Sequence, residues 1–378
     1  MAISITQEPQ EFTPSDNPIV WVFESDKTTQ PNFYFLVEVY IDAVLIERHK
    51  VFPEQGIYAH FDASFVAERY ATVNDSSSNQ TLNTININVT EYYNNVAGLT
   101  TIGADTKIWK AKIKKENFVS YDFNNYVLNG FTTSKFLTLC PRGFDKTKGT
   151  ELKYLSFLVN ANAPTVDFNT YTSVGVLIDT QSITPTVTNE SLVNISVGVQ
   201  TLIDDISLDF TNATYYTVEA NNFSGSTEVY RIDIDTDCDY SKAKRLQWLN
   251  SLGGFDSHTF RLFSRESTDV KSFGYERQFG NFNTSNGYEF DLKGGTVIDY
   301  LKKFNKSLEI TSDWLTEEVQ NWMVAELYTT PIVYIEDALE LYRCKVTNDK
   351  YEMKGNENDM LFQEIIKIEL ESDTSVNV

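Results

Sequence analysis

Basic residues are scarce in this chain. Its 378 residues include 31 Lys and Arg against 53 Asp and Glu, which gives a formal net charge of −22. Proteins that bind the phosphate backbone of nucleic acids need a basic surface, so this composition excludes a tight nucleic-acid binder. Hydrophobic residues make up 41% of the chain, as in globular proteins. The length then predicts two or three folded domains.

Cysteine is also rare, with Cys140, Cys238 and Cys344 far apart in the sequence. An odd number of distant cysteines forms neither a disulfide framework nor a paired metal motif. This predicts buried free thiols in a protein made in a reducing cytoplasm. The first residues show no basic segment followed by an apolar one, so we expect no secretory signal. No run of about 18 apolar residues occurs, so we expect no membrane anchor.

Catalytic signatures are missing as well. The sequence contains no GxSxG, HExxH, GxxxxGK[ST] or GxGxxG motif. A catalytic base would have to be His49, His60 or His258, and no nucleophile motif accompanies any of them. The acid pairs Asp204–Asp205 and Glu317–Glu318 are typical of a solvated surface, because adjacent residues do not face each other across a sugar. We therefore predict that the protein is not an enzyme and has no catalytic, cofactor-binding or metal-binding residues.

One acidic segment resembles the start of a calcium-binding loop. Its four aspartates alternate along the chain: Asp233, Asp235, Asp237 and Asp239. With Asp233 in the first position, Cys238 would stand where the loop needs glycine and Lys244 where it needs a bidentate glutamate. We therefore interpret residues 233–239 as the wet face of a strand followed by acids that precede a helix. A weak cation site is the alternative.

Alternation of apolar and polar residues dominates the rest of the chain. Successive side chains of a strand point to opposite faces, so alternation predicts a strand with one buried face. Residues 19–23 are apolar throughout, which predicts a strand covered on both faces. The sequence thus predicts a mainly β protein of two or three β-sandwich-like domains. The alternating segments are residues 33–41, 85–89, 109–113, 193–199, 230–234 and 366–370.

Helical spacing of apolar residues occurs in two places. Residues 315–327 repeat their apolar side chains every three or four positions, which predicts an amphipathic helix capped by Ser312 or Asp313. A second helix is predicted over residues 241–252, because its leucines are spaced three apart and two glycines follow. The prediction is therefore a β protein with two short helices.

Polar, loop-like segments predict the domain boundaries. The segment NANAP at residues 160–164 marks a joint after an N-terminal β domain of residues 1–162. A middle β domain of residues 163–290 would carry the helix near 241–252. Residues 291–378 would form an α+β segment that packs on the middle domain. No repeat with a fixed period of about 20–50 residues is apparent.

Three blocks of sequence carry a family resemblance. They are NPIVWVFESDKTTQPNFYFLVEVYI at residues 17–41, LQWLNSLGGFDSHTFRLFSR at 246–265, and ITSDWLTEEVQNWMVAELYTTPIVYIED at 310–337, followed by NDMLFQEIIKIEL at 358–370. Together they resemble a structural protein of tailed bacteriophages that infect Bacteroidetes-type hosts, the crAss-like phages in particular. The resemblance spreads over nearly the whole chain and lies in framework strands and one helix.

This resemblance implies a virion protein of the tail or of the collar below the portal, assembled in the cytoplasm of the host bacterium. Such a protein would form a ring as a cyclic homo-oligomer and dock other tail, collar or portal proteins around the DNA exit channel. DNA would pass only as cargo, and an acidic wall suits that role because it repels phosphates. The basic segment KIWKAKIKK at residues 107–115 would instead meet an acidic neighbour.

A glycan-binding or receptor-binding β module of the virion is the alternative hypothesis. Tyr92–Tyr93, Tyr215–Tyr216 and Trp109 would then supply a platform on which sugar rings stack. This hypothesis predicts aromatic side chains clustered on an exposed loop face. An enzyme that degrades the cell envelope is a third hypothesis, which rests only on the abundant carboxylates.

Overall fold

The computed structural model confirms the mainly β class, since strands take up 52% of the residues and helices 10%. Contacts divide the chain into two compact units. The first holds residues 1–237 and 248–257, and the second holds 238–247 and 258–378, so these bounds differ from the predicted ones at 162 and 290. The described residues are 3–54, 56–73, 78–128, 133–160, 163–187, 190–223, 225–236, 243–285, 287–290, 295–348 and 362–370.

The first unit begins with a module of two sheets that share one core. Its small sheet has the order β1-β3-β6, and its large sheet has the order β2-β10-β8-β4-β5, with β9 paired to β8. The elements in this part of the chain are β1 (Ser4–Gln7), β2 (Phe12–Pro14), β3 (Val20–Glu24), β4 (Tyr34–Ile41), β5 (Val44–Val51), β6 (Tyr58–Asp62), α1 (Ser64–Tyr70), β7 (Gln80–Thr81), β8 (Asn83–Tyr93), β9 (Val96–Ile102) and β10 (Thr106–Trp109).

Alternation of side chains explains the core of this first module. Along β4 and β8, buried and half-buried residues alternate, so the strands predicted over residues 33–41 and 85–89 are confirmed. Strand β3 alternates in the same way, with Trp21 and Phe23 fully buried. The side chains on its other face are only half-buried. The prediction that residues 19–23 form a strand covered on both faces is therefore corrected.

A connecting segment then leads into the second module. It contains α2 (Lys115–Phe118), a 3₁₀ turn (Phe123–Tyr126) and β11 (Val127–Leu128). The strand predicted over residues 109–113 is wrong beyond Trp109, where β10 ends. Apolar and polar residues still alternate beyond β10, because Ala111 and Ile113 are buried there. They lie in an irregular segment that does not pair as a β-strand.

The second module also has two sheets around one core. The small sheet has the order β11-β13-β16-β7, and the large sheet β12-β19-β17-β14-β15, with β18 paired to β17. Its elements are β12 (Lys146–Thr147), β13 (Tyr154–Val159), β14 (Thr165–Tyr171), β15 (Leu177–Ile183), β16 (Ser191–Ser196), α3 (Val199–Ile206), β17 (Tyr215–Asn222), β18 (Gly225–Ser226) and β19 (Tyr230–Ile234).

Two predictions change in the second module. The strands on either side of residues 160–164 contribute Phe157 and Phe168 to the same core, so this segment connects two sheets of one module. The strand predicted over 193–199 ends at Ser196, and Val199 begins α3. The strand predicted over 230–234 is confirmed as β19.

The two modules share one topology. In each, a short strand pairs in parallel with the last strand of the large sheet: β2 with β10, and β12 with β19. In each, the hairpin β4–β5 or β14–β15 forms the other edge. A strand of the small sheet, β6 or β16, then leads into a helix, α1 or α3, and a second hairpin follows.

The register of the small sheets also matches. Trp21 faces Phe61 across the β3–β6 pair, and Leu155 faces Ile195 across the β13–β16 pair. The sequence separation from Trp21 to Leu155 is identical to that from Phe61 to Ile195. The two strand pairs therefore superimpose without an insertion or a deletion between them.

One backbone hydrogen bond repeats at the same spacing. The Ala63 N–H donates to the Ile19 carbonyl at 3.0 Å, and the Val197 N–H donates to the Lys153 carbonyl at 2.8 Å. We therefore describe the first unit as a tandem repeat of one sandwich-like module. Its period spans a whole module and is far longer than the period of a solenoid or propeller repeat.

A third apolar cluster joins the two modules into one unit. Phe12 and Leu82 come from the first module, and Leu158 and Leu192 come from the second. Trp109, the last residue of β10, also belongs to this cluster, and its Nε1 donates to the Leu252 carbonyl at 2.8 Å. Because the modules share these buried side chains, they form a single compact unit.

Five strands of the second unit pair in the order β26-β27-β28-β25-β22. Helix α4 confirms the helix predicted over 315–327, although its N-cap is Thr316 and not Ser312 or Asp313. Strand β28 confirms the strand predicted over 366–370. The remaining elements of the chain are β20 (Lys244–Leu249), β21 (Phe255–Phe260), β22 (Phe263–Glu276), β23 (Asn281–Asn283), β24 (Gly287–Glu289), β25 (Val297–Thr311), α4 (Glu317–Glu326), β26 (Val333–Asp337), β27 (Glu340–Val346) and β28 (Ile365–Leu370).

The helix predicted over residues 241–252 is wrong. Its described central part is strand β20, in which Arg245 and Gln247 are as buried as the leucines around them. An amphipathic helix would leave those two polar residues in water, whereas a strand covered on both faces buries them. Arg245 Nη1 donates to the Thr259 hydroxyl at 2.8 Å, and Arg245 Nε lies 3.7 Å from the buried Glu336 carboxylate. Among the described residues, we find no helix that is both long and apolar enough to span a membrane.

Candidate docking arm

A long hairpin is the most exposed feature of the second unit. Strand β22 pairs with β25 in antiparallel register over 14 positions, from Phe263 opposite Thr311 to Glu276 opposite Val297. At about 3.4 Å per residue, this ribbon is about 45 Å long. We call residues 263–311 the arm. The predicted domain boundary at residue 290 falls inside it, between two strands that pair with each other.

The arm is anchored only at its base. Residues Ser307 to Thr311 of β25 also pair with β28, and there Leu308 and Ile310 are buried. Beyond Ser307, the two strands pair only with each other among the described residues. A two-stranded hairpin is at best marginally stable in water by itself. In the part of the unit that the structure describes, no third strand or layer stabilises the outer part of the arm.

Large apolar side chains cover this outer part. Val270 is 61% exposed, and Phe273, Tyr275, Val297 and Tyr300 are exposed as well. Single exposed apolar residues are common, but several of them along one ribbon indicate an interaction surface. We therefore identify the arm as the candidate functional site of this chain.

The tip of the arm adds an aromatic group. Strands β23 and β24 form a small hairpin there, and the Tyr288 hydroxyl donates to the Phe279 carbonyl at 2.8 Å. The rings of Phe279 and Phe290 lie 5.5 Å apart. Phe282 and Phe290 are each 70% exposed. Aromatic residues are enriched at the centres of protein interfaces, so the tip has the composition of a binding anchor.

The charge of the arm differs from that of the rest of the chain. Residues 263–311 contain seven basic and seven acidic residues, so the arm is neutral and the remaining residues carry the whole charge of −22. Lys271 lies directly opposite Lys303 on one face of the ribbon. Lys302 and Lys306 lie on the other face, and Lys302 is 3.5 Å from Asp299. The middle of the arm is therefore locally basic.

The residues considered for catalysis lie elsewhere. His49, His60 and His258 each lie beside a carboxylate, at 3.0, 3.1 and 3.9 Å. The pair Asp204–Asp205 is exposed on α3. The pair Glu317–Glu318 is exposed in the first turn of α4, where it complements the positive end of the helix dipole.

The acidic run at 233–239 is only partly described. Asp237 and Asp239 lie outside the described residues. Asp233 lies on β19 and accepts a hydrogen bond from Arg231 Nε at 2.7 Å, and Asp235 is buried just beyond the strand. In the part of the chain that the structure describes, no three His, Cys, Asp or Glu residues group as a metal site.

Two of the aromatic residues considered for glycan stacking belong to the core. Tyr216 is fully buried, and its hydroxyl donates to the Val197 carbonyl. Trp109 is also buried, in the cluster that joins the modules. Neither ring can stack on a sugar, so the predicted roles of Tyr216 and Trp109 are corrected.

Of the other three tyrosines, Tyr93 packs against the core of the first module. Tyr92 and Tyr215 lie on outer sheet faces, but protein groups already cover them. Tyr215 stacks on Tyr171 with ring centroids 5.1 Å apart, and the Arg231 guanidinium lies 3.8 Å from the Tyr215 centroid. Tyr92 stacks on Tyr34 at 5.0 Å. Such cross-strand aromatic pairs stabilise a sheet, which accounts for these rings without a ligand.

Part of the basic segment at residues 107–115 finds acidic partners within the chain. Lys110 Nζ lies 2.7 Å from Asp16, and Lys107 Nζ lies 3.7 Å from Glu190. Lys112, Lys114 and Lys115 are exposed.

No protein-family model matches this chain, and a search of curated proteins gives no match. The arm was not predicted from the sequence, because its strands lack regular alternation. The polar NFNTSNG segment at residues 281–287 predicted only a loop or a hinge, and its residues 281–283 and 287 lie in strands β23 and β24 at the tip.

Proposed function

We propose that this chain is a structural virion protein of a tailed phage, which forms a ring in the tail or in the portal-proximal collar. Each copy would contact its neighbours in the ring, and the ring would dock other tail, collar or portal proteins. DNA would pass through the channel as cargo. Assembly would take place in the cytoplasm of the host bacterium, and the finished protein would reside in the virion.

The observation that carries this proposal is the exposed arm. Among the described residues of its unit, a ribbon of this length with exposed Val270, Phe273 and Tyr300 has no layer to pack on. Burying apolar surface gains roughly 25 cal/mol per Å², so a second protein surface would stabilise the arm. Building blocks that interlock by such extensions gain stability only on assembly, as a structural protein requires.

Two further features support the proposal. The sequence blocks at residues 17–41, 246–265 and 310–337 resemble structural proteins of crAss-like phages. The charge outside the arm is strongly negative. An acidic wall repels phosphates, so DNA could slide past such a surface without adhering.

Analysis of purified particles tests the proposal. We expect mass spectrometry to find the chain in purified virions of its phage, and cryo-microscopy to find it in symmetric copies around the tail axis. Its absence from purified particles would contradict the structural role. A single asymmetric copy at a fibre tip would favour the receptor-binding alternative.

A shortened arm gives a second test. Asp269 lies directly opposite Asn305, so residues 270–304 can be replaced by Asn-Gly, a sequence that favours a tight hairpin turn. This change keeps the base of the arm and its pairing with β28. Phage that carry the shortened chain should assemble few complete particles, while the isolated protein stays folded. Normal particle yield would show that the arm has no role in assembly.

A further inference from the structure

The charge distribution of the arm indicates which kind of partner it binds. A surface built to bind nucleic acid is strongly basic, because it must neutralise many phosphates. The arm has no net charge and exposes mainly aromatic and aliphatic side chains. The exposed apolar side chains favour a protein partner. The lysines in the middle of the arm favour a partner with an acidic surface.

Three of the four lysines in the middle of the arm have no acidic partner among the described residues. Lys271 and Lys303 face each other across the ribbon, and like charges in that position destabilise a sheet. Among the described residues, no carboxylate lies within 4.0 Å of Lys271, Lys303 or Lys306. A local arrangement this unfavourable is expected where a partner supplies the compensating charge.

An acidic surface of the required kind lies in the second module of this same chain. Residues 154–230 contain eight carboxylates and no Lys, Arg or His. Asp204 and Asp205 are exposed in the last turn of α3. Acidic residues are unfavourable there, because the C-terminal end of the helix dipole is negative. Like the opposed lysines, these aspartates break a local rule, and no basic group of the described residues lies within 4.0 Å of either carboxylate. Gln200 Nε2 donates to Asp204 at 2.9 Å.

Asp179 and Asp209 extend this acidic surface. The Asp209 N–H donates to Asp179 Oδ2 at 3.0 Å, so the two residues lie together, and α3 contacts β15, which carries Asp179. Backbone hydrogen bonds lower the pKa of both carboxyls, from the Asp209 N–H for Asp179 and from the Thr211 N–H for Asp209. Both groups therefore stay ionised at neutral pH. We call Asp179, Asp204, Asp205 and Asp209 the acidic corner.

We propose that the arm of one copy docks on the acidic corner of a second copy of this chain. The lysines of the arm would face the aspartates of the corner, and the exposed aromatic residues would be covered by the neighbouring module. The two surfaces are different, so the contact is heterologous and can repeat around an axis until a ring closes. This inference rests on the proposed ring-forming role and names the contact that builds the ring.

A charge-swap experiment tests this contact. The arm variant is Lys271→Glu/Lys303→Glu, and the corner variant is Asp204→Lys/Asp205→Lys. Analytical ultracentrifugation of the wild-type full-length chain should show self-association that weakens with salt. Each variant alone should associate at least about tenfold more weakly, because like charges then meet at the contact.

Mixing the two variants is the decisive measurement. The glutamates of the arm variant then meet the lysines of the corner variant, and the intact lysines of the corner variant meet the intact aspartates of the arm variant. Association should therefore return in the equimolar mixture. The matched control is Lys50→Glu/Lys135→Glu, which makes the same change in net charge as the arm variant, at exposed residues outside the arm and outside the basic segment at 107–115, and should leave association unchanged.

Several outcomes would overturn the inference. They are a wild-type chain that stays monomeric at all soluble concentrations, variants that associate normally, or a mixture that does not recover. Loss of DNA binding in the arm variant without loss of self-association would identify nucleic acid as the partner and also overturn it. A different result would contradict the proposed function alone. In that case the chain would be absent from purified virions, although mixing the two charge-swap variants still restores self-association.

Discussion

A buried ion pair in the second module gives a stability prediction that depends on a single contact. Lys153 Nζ pairs with Asp145, and both side chains are 4% exposed. The Tyr230 hydroxyl also donates to Asp145, at 2.8 Å. At the equivalent position of the first module, whose carbonyl accepts the same repeated backbone hydrogen bond, the chain has the fully buried apolar residue Ile19.

The perturbation is Lys153→Met, which nearly keeps the length of the side chain and removes its charge. Asp145 then remains buried with only the Tyr230 hydroxyl as a side-chain donor. Removing one partner of a buried ion pair costs about 3–5 kcal/mol, because the remaining charge has lost both its water and its counter-ion. For a unit of this size, the melting temperature should fall by about 6–20 °C.

The assay is a double-mutant cycle measured by urea denaturation. Lys153→Met, Asp145→Asn and the double variant are compared with the wild type, with tryptophan fluorescence as the probe. The double variant leaves no unpaired buried charge, so it should be more stable than the sum of the single effects by at least about 2 kcal/mol. Ile19→Met is the matched control at the equivalent apolar position and should cost less than about 1.5 kcal/mol.

The expected pattern can fail in two ways. If Lys153→Met costs less than about 1 kcal/mol, the pair is not a significant part of the folded state. If the effects of Lys153→Met and Asp145→Asn are additive, the two residues do not interact in solution. Either result would refute the reasoning.

Three further predictions follow from buried groups in both units. Burial raises the pKa of the Cys344 thiol to about 12, so it should resist alkylation at pH 8 until the protein unfolds, whereas the half-buried Cys140 should react sooner; equal rates in the native protein would contradict this. Burial, followed by the nearby Asp145, raises the pKa of Tyr230 well above its usual range, so titration at 295 nm should find Tyr230 ionised only in unfolded protein, with Tyr230→Phe as the reference. Gly253→Ala should destabilise the first unit by about 1–3 kcal/mol in urea titration, because the residue has a φ of +89° and a Cβ there would lie 2.7 Å from Trp109; wild-type stability would contradict it.

The local sequence pattern was sufficient to predict strands and helices that have one buried face and one solvent-exposed face. Strands β4 and β8 were predicted because every second residue is apolar, and helix α4 because its apolar residues repeat every three or four positions. In these elements, the period of the side chains alone fixes the backbone conformation.

The sequence pattern did not predict elements whose two faces are equally buried or equally exposed. In β20 the two faces are buried, so Arg245 and Gln247 interrupt the apolar residues and imitate helical spacing. In β22 nearly every residue is exposed, so no alternation marks the strand. The candidate site was therefore missed, since it depends on β22 pairing with β25 across residues that are distant in the chain.

The sequence by itself determined the mainly β class, the acidic composition and the neutral charge of residues 263–311. Only the tertiary structure showed that these residues form an exposed arm, and that the first unit repeats one module at a constant spacing. The repeat is invisible in the residues because Trp21 opposite Phe61 and Leu155 opposite Ile195 fill equivalent positions equally well. A core requires apolar side chains of suitable volume at the right positions of each strand, and many different apolar residues meet this requirement.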